Sequence, residues 1–306
     1  MKDLLSKRLV IVTGKGGVGK STVAVTLGLA AAARGKRTIV CEVSSQERLS
    51  RTFQHEQVGF HEVEVSPNLF AISIDPDEAM REYVLLQLKV KAMRDLLFRS
   101  KVFTYLAAAT PGLRELVTIG KIWELALDDR RVKQGRNYDL VIVDAPATGH
   151  GVGFLQTPKT FANVARVGPI ASQGETLHRF LTDRRRTGVA VVALPEEMPV
   201  NETATLERDL VREVGVSVDR IFLNGLYPER FSAADEAELD GAFERAEGPA
   251  RAAIRAAISV RRRSLAQREQ LARLDDITRT PVTTLPFLFE PELRLDHLRE
   301  LAGVVA

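Results

Sequence analysis

Gly14, Gly16, Gly17 and Gly19 alternate with Lys15, Val18 and Lys20, and Ser21 and Thr22 follow directly. The run satisfies G-x-x-x-x-G-K-[ST], a spacing with a physical purpose. Glycines let successive backbone N–H groups close around an anion, and a helix N-terminus adds partial positive charge. In this pattern Lys20 reaches the β- and γ-phosphates of a nucleotide, and the Ser21 hydroxyl ligates Mg²⁺. Gly14 through Thr22 are therefore the expected cradle for ATP with Mg²⁺. A second candidate is Asp144, which closes the apolar run Leu140-Val141-Ile142-Val143. An acid at the tip of a strand beside the cradle can hold a Mg²⁺-bound water, whereas a structural Asp there would cap the next helix. The following residues, Ala145 to Gly151, are too small and glycine-rich to begin a helix, which favours the metal role.

Those residues need a strand before the loop and a helix after it. Leu9-Val10-Ile11-Val12 supplies the first and Val23 to Ala31 the second. Further strands are read at residues 37–43, 69–75, 138–144, 189–195, 218–224 and 282–285, each apolar and bounded by polar, Pro or Gly residues. Helices are read from about Phe154 to Thr182, Asn201 to Val214, Ala233 to Leu274 and Glu290 to Val305. Between about 77 and 130 the strand signal disappears. Val84, Leu85, Leu88, Met93, Leu96 and Leu97, then Leu113, Leu116, Ile119, Ile122, Trp123 and Leu125, recur at helical spacing. The expected fold is a single α/β domain over 1–306: a P-loop NTPase with a mostly parallel sheet flanked by helices. A helical insertion falls at about 77–130, with further helical segments at about 158–186 and 233–274. The insertion is read as a partner or client surface or, equally, as a helical layer packed on the sheet.

Composition narrows the class. The chain has 306 residues, 45% of them hydrophobic, and a formal charge of +3, too small an excess to indicate a nucleic-acid partner. Arg184-Arg185-Arg186 and Arg261-Arg262-Arg263 lack interleaved stacking aromatics, so they read as solvated helix faces or ends. One cysteine excludes an internal disulfide and a CxxC metal site within the chain. With no signal-like N-terminus and no membrane-length apolar run, a cytoplasmic location without stable membrane insertion is expected.

With these motifs placed, Lys15 becomes diagnostic. Lys15-Gly16-Gly17-Val18-Gly19-Lys20-Ser21 resembles the deviant Walker A motif of ParA and MinD ATPases, nitrogenase iron protein and the ArsA-like ATPases. Three more stretches resemble the last group, the ArsA-like or guided-entry (Get-type) anion-transporting ATPases. Asp144 to His150, continuing to Phe154-Leu155-Gln156-Thr157-Pro158, is similar to their switch II. Pro111 to Leu116 is similar to a helical-domain motif, and Leu194 to Thr203 to a strand-to-helix junction.

The resemblance implies a homodimer, or a heterodimer with a paralogue, in which Lys15 reaches the partner's nucleotide. It further implies that Asn224 reads adenine, a polar strand-end turn with Gly225 being the other reading, and that a hydrophobic-helix protein is the client. The family's loop after the second strand reads Ser-Thr-Asp-Pro-Ala-His, and its Asp orients the attacking water. Ser44 stands at that position here, uncharged and a poor base. Glu42 is assigned a place near the Mg²⁺ waters, while Glu47 is either a substitute base or a helix cap. Slow hydrolysis by a nucleotide-gated switch is therefore expected, or pairing with a paralogue that keeps the aspartate. The alternatives are a ParA/MinD-like positioning ATPase and a non-hydrolysing regulatory subunit. Cys41 alone cannot bind arsenite through several thiolates, and four methionines make a poor adaptable groove.

Overall fold

Alternate residues of the inner strands leave for opposite faces of one sheet and find apolar partners on both. Leu9 and Ile11 enter one core cluster, while Val10 and Val12 enter the other. The same parity holds for Ile39 and Cys41 against Val40, and for Val141 and Val143 against Leu140 and Ile142. A sheet buried on both sides needs continuous apolar runs in its strands, which is why those segments were legible. The structure, a computed structural model, describes residues 4–43, 48–53, 58–87, 110–130, 135–147, 150–164 and 169–305.

The strands are β1 (Leu9–Gly14), β2 (Thr38–Glu42), β3 (Val63–Ser66), β4 (Leu69–Ser73), β5 (Leu140–Asp144), β6 (Thr187–Ala193), β7 (Arg220–Leu226) and β8 (Val282–Pro286). They form an eight-stranded sheet in the order β3-β4-β2-β5-β1-β6-β7-β8. All neighbouring pairs are parallel except β3 with β4. The sequence reading missed β3. It is a four-residue edge strand joined to β4 by Pro67-Asn68, and Asn68 takes the left-handed turn conformation at φ 62°.

The helices are α1 (Lys20–Ala33), α2 (Arg48–Phe53), α3 (Pro76–Gln87), α4 (Leu113–Leu125), α5 (His150–Val164), α6 (Pro169–Thr182), α7 (Glu197–Asp209), α8 (Ala233–Arg245), α9 (Gly248–Ile277) and α10 (Leu295–Val305). α7 continues into a π-helical turn, Leu210–Val214. The helical segment expected over 233–274 consists of two helices, α8 and α9, separated before Gly248-Pro249. α5 starts at His150, inside the stretch thought unable to begin a helix.

α1 and α10 cover one face of the sheet through residues such as Val23, Leu27, Leu298 and Leu301. α3 to α7 cover the other. Leu116, Ile119, Ile122, Trp123 and Leu125 of α4 belong to that core, so the described part of the expected insertion packs as a layer on the sheet. An ionic network backs this layer. Lys121 Nζ lies 2.7 Å from Glu82 on α3, and Arg130 lies 2.7 Å from Glu62 and 2.8 Å from Glu124. The Tyr138 hydroxyl donates to Glu62 across 2.6 Å at the entry to β5. Arg130 and Glu124 are both almost fully buried, so each is needed to offset the other's desolvation.

Candidate nucleotide-binding site

Chain order makes the crevice. From β1 the chain moves outward to β2 and β4, returns at β5, then crosses β1 to β6, β7 and β8. The carboxyl ends of strands at such a switch point are where open α/β sheets bind ligands. β1, β2, β5 and β7 all deliver candidate residues there.

The loop after β1 can exist only with glycine at two positions. Gly14 has φ +146°, and a Cβ on it would lie 2.4 Å from the Val192 carbonyl oxygen on β6. Gly19, at the N-cap of α1, has φ +94°, and a Cβ on it would lie 2.2 Å from Asn224 Nδ2. At Gly16 and Gly17, by contrast, nothing lies within 4 Å of an added Cβ, so the loop's mouth is open. Lys20 is buried in the first turn of α1 and donates to the Lys15 carbonyl across 2.8 Å, folding its charge back over the loop. Lys15 itself is exposed, and its Nζ lies 2.8 Å from Glu202 Oε1 on α7.

Ser21 Oγ donates to Asp144 Oδ2 across 2.5 Å. That contact turns the Asp144 carboxylate toward the first turn of α1. Glu42 is the register partner of Asp144 on β2, so both carboxylates leave the same face of the sheet at adjacent strand tips. Glu42 is buried and accepts a 3.4 Å bond from the Leu49 amide of α2. The donor set of a hydroxyl and a carboxylate at an open anion cradle fits a small hard cation beside a phosphate chain, and so fits Mg²⁺ with ATP. Among the described residues no cluster of three His, Cys, Asp or Glu side chains forms a metal site of its own.

Asn224 ends the buried part of β7 and donates from Nδ2 to the Val18 carbonyl across 3.0 Å, a grip on the glycine loop that its expected part in reading adenine did not foresee. Beyond it, Gln267 of α9 clamps the strand end, donating to Gly225 O and accepting from the Tyr227 amide. Ser44 and Glu47 lie outside the described residues. Cys41 is wholly buried beside Glu62, and both desolvation and that carboxylate push its thiol upward. Of the arginine triplets, Arg261 is buried and pairs with Glu236 at 2.8 Å, a structural role the sequence reading did not give it. Glu202 was also missed. It was visible only as part of a junction motif, because nothing local to α7 reveals that it faces Lys15.

A glycine loop between the central strand and its helix, closed by a serine–aspartate contact at the strand tips, defines a P-loop NTPase. The chain belongs to the anion-transporting ATPase (ArsA) family, whose profile matches residues 7–173 and 164–240. It is similar to ATPase BagA of Mycobacterium tuberculosis, 31% identical over 250 residues that cover 78% of this chain and 72% of that protein. It is 27% identical to a putative arsenical pump-driving ATPase of Halobacterium salinarum over 315 residues, 97% of this chain but 44% of that one. ATPase GET3 of Podospora anserina is 27% identical over 173 residues, 56% of this chain and 49% of the fungal protein.

Proposed function

We propose that this chain is a Mg²⁺-dependent ATPase that works as a nucleotide-gated dimeric switch with slow intrinsic hydrolysis. The observation that carries the reading is the 2.5 Å contact between Ser21 Oγ and Asp144 Oδ2 at the mouth of the open loop. Bound ATP with Mg²⁺ would supply the γ-phosphoryl group and a cation to neutralise it. The backbone amides of residues 14–19 hold the anion, and Ser21 and Asp144 hold the metal site together. Lys20 offsets the charge that accumulates on phosphoryl oxygens in the transition state. Asn224 fixes the loop through Val18 and carries a carboxamide suited to the adenine edge. Glu42 keeps a second carboxylate beside Asp144. Water orientation is the weak step, because Ser44 replaces a carboxylate in the family's loop.

Lys15, exposed on the loop, is read as the group that reaches a second subunit, a homodimer partner or a paralogue. A positioning ATPase of the ParA or MinD kind would need a free membrane or DNA surface. The C-terminal helix α10 is a poor candidate, since Leu298 and Leu301 are buried against the sheet domain. No helix among the described residues is long and apolar enough to cross a membrane. A client surface for a hydrophobic helix would have to use groups other than the apolar face of α4, which lies in the core.

Titration with a fluorescent ATP analogue, with and without Mg²⁺, followed by single-turnover hydrolysis, tests the reading. Mg²⁺-dependent binding with turnover well below that of an aspartate-bearing relative is expected. Absence of binding refutes the ATPase reading, and fast turnover by the purified chain alone refutes the slow switch.

A further inference from the structure

The ion pair between Lys15 and Glu202 joins a cation on the glycine loop to an anion on a core-packed helix. Lys15 stands among glycines on the loop, whereas Glu202 stands on α7, whose Val200, Thr203 and Leu206 are buried in the core. The first turns of α7 are fastened as well. Arg273 of α9 donates to Asn201 Oδ1 across 2.9 Å and lies 3.5 Å from Glu197. Beside the pair is a cavity of 430 Å³, bounded by Lys15, Glu202, Thr205, Asp209 and by Val152 of α5, so Lys15 has room to swing without displacing a packed group.

We propose that Glu202 is a positioning residue that parks Lys15 within its own subunit, so that pairing of two copies requires exchanging this carboxylate for the partner's nucleotide. The inference rests on the reading above that nucleotide drives two copies together. The two anions compete for the ammonium because Glu202 is held on its own subunit's α7 while the second nucleotide is held by the partner. The carboxylate carries a single charge and is already in place; the polyphosphate carries more charge but is within reach only in a complete, loaded pair. Glu202 therefore opposes closure of empty subunits and leaves loaded ones able to close, because a ligand shifts an equilibrium only by its differential affinity for the two states.

The test uses the full chain and sedimentation velocity in Mg²⁺ with increasing non-hydrolysable ATP analogue. Glu202→Gln keeps the shape and removes the charge. It should lower the nucleotide concentration for half-maximal dimerisation by about two- to fivefold, the range of a partly exposed pair. Glu202→Asp should restore most of the wild-type midpoint. On a Lys15→Ala background, Glu202→Gln should have no effect. Affinity for a fluorescent nucleotide in dilute monomer should be unmoved, since Lys15 has no opposite site to reach there. A Glu202→Gln midpoint equal to or above wild type overturns the proposal, as does a shift that persists without Lys15. Wild type that binds nucleotide yet stays monomeric refutes the pairing switch itself and this inference with it. Wild type that pairs while Glu202→Gln is unmoved refutes only the inference.

Discussion

Ser21 Oγ and Asp144 Oδ2 meet across 2.5 Å, joining the first turn of α1 to the tip of β5 through residues far apart in the chain. Neither is replaceable if the pair forms the metal site. Ser21→Ala and Asp144→Asn are each expected to reduce Mg²⁺-dependent turnover by about 10²-fold, the scale of losing one preorganised group in a water-poor site. Steady-state phosphate release checks this. Melting temperatures near wild type would show that the loss is chemical.

Two glycines with positive φ should behave differently on substitution. Gly19→Ala strains a φ of +94° and drives a Cβ into Asn224 Nδ2, so the Asn224 grip on Val18 is lost and nucleotide affinity falls. Gly35 has φ +78° with nothing within 4 Å of an added Cβ. Gly35→Ala should cost about 1–2 kcal/mol of stability from backbone strain and leave nucleotide affinity unchanged. Urea denaturation and nucleotide titration of both variants separate the two effects.

Cys41 sets a pH dependence. Its thiol is pushed up in the folded chain by burial and by Glu62, while in the unfolded chain it ionises at about 8.5. Above that pH the unfolded state loses a proton that the folded state keeps, so stability falls as pH rises. Its share of the slope should approach about 1.4 kcal/mol per pH unit between about pH 9 and 10. Denaturation curves of wild type and Cys41→Ala under reductant should diverge by that slope. Parallel curves would contradict it.

Arg130 is the keystone of the network between β5 and α4. Arg130→Ala leaves Glu124 and Glu62 without their nearest cation and should destabilise the fold by about 3–5 kcal/mol, read by chemical denaturation. Removing the surface partner in Arg299–Asp296 should change stability by less than about 1 kcal/mol.

Arsenite should change neither turnover nor melting temperature. Relatives carry the name arsenical pump-driving ATPase, but this chain has one cysteine, and it is buried in β2. Stimulation by arsenite would require a site without thiolates, contrary to the metalloid's preference for soft ligands.

What the sequence revealed was whatever is local. The glycine run, the apolar strands and the acid closing β5 all announce themselves through residues within a few positions of one another. α4 was legible too, because Leu116, Ile119 and Trp123 keep helical spacing. β3 was not: four residues of alternating Val and polar side chains carry little signal, and its place is decided by pairing with β4. The break between α8 and α9 was marked by Gly248-Pro249 but masked by alanine-rich sequence on both sides. Asn224 against Val18, and Glu202 against Lys15, are contacts across the sheet's carboxyl edge. Their partners follow from strand order, which no local pattern encodes.

That strand order also fixes a timetable. β1 is made first yet lies in the middle of the sheet, with β5 on one side and β6 on the other. Its two neighbours end at Asp144 and Ala193, so an apolar strand leaves the ribosome with both hydrogen-bonding edges vacant. At synthesis rates of about 5–20 residues per second, both edges stay vacant for roughly 7–26 seconds. An unpaired apolar strand is a template for aggregation. The first edge of β1 is covered only when β5 emerges and the second only when β6 does.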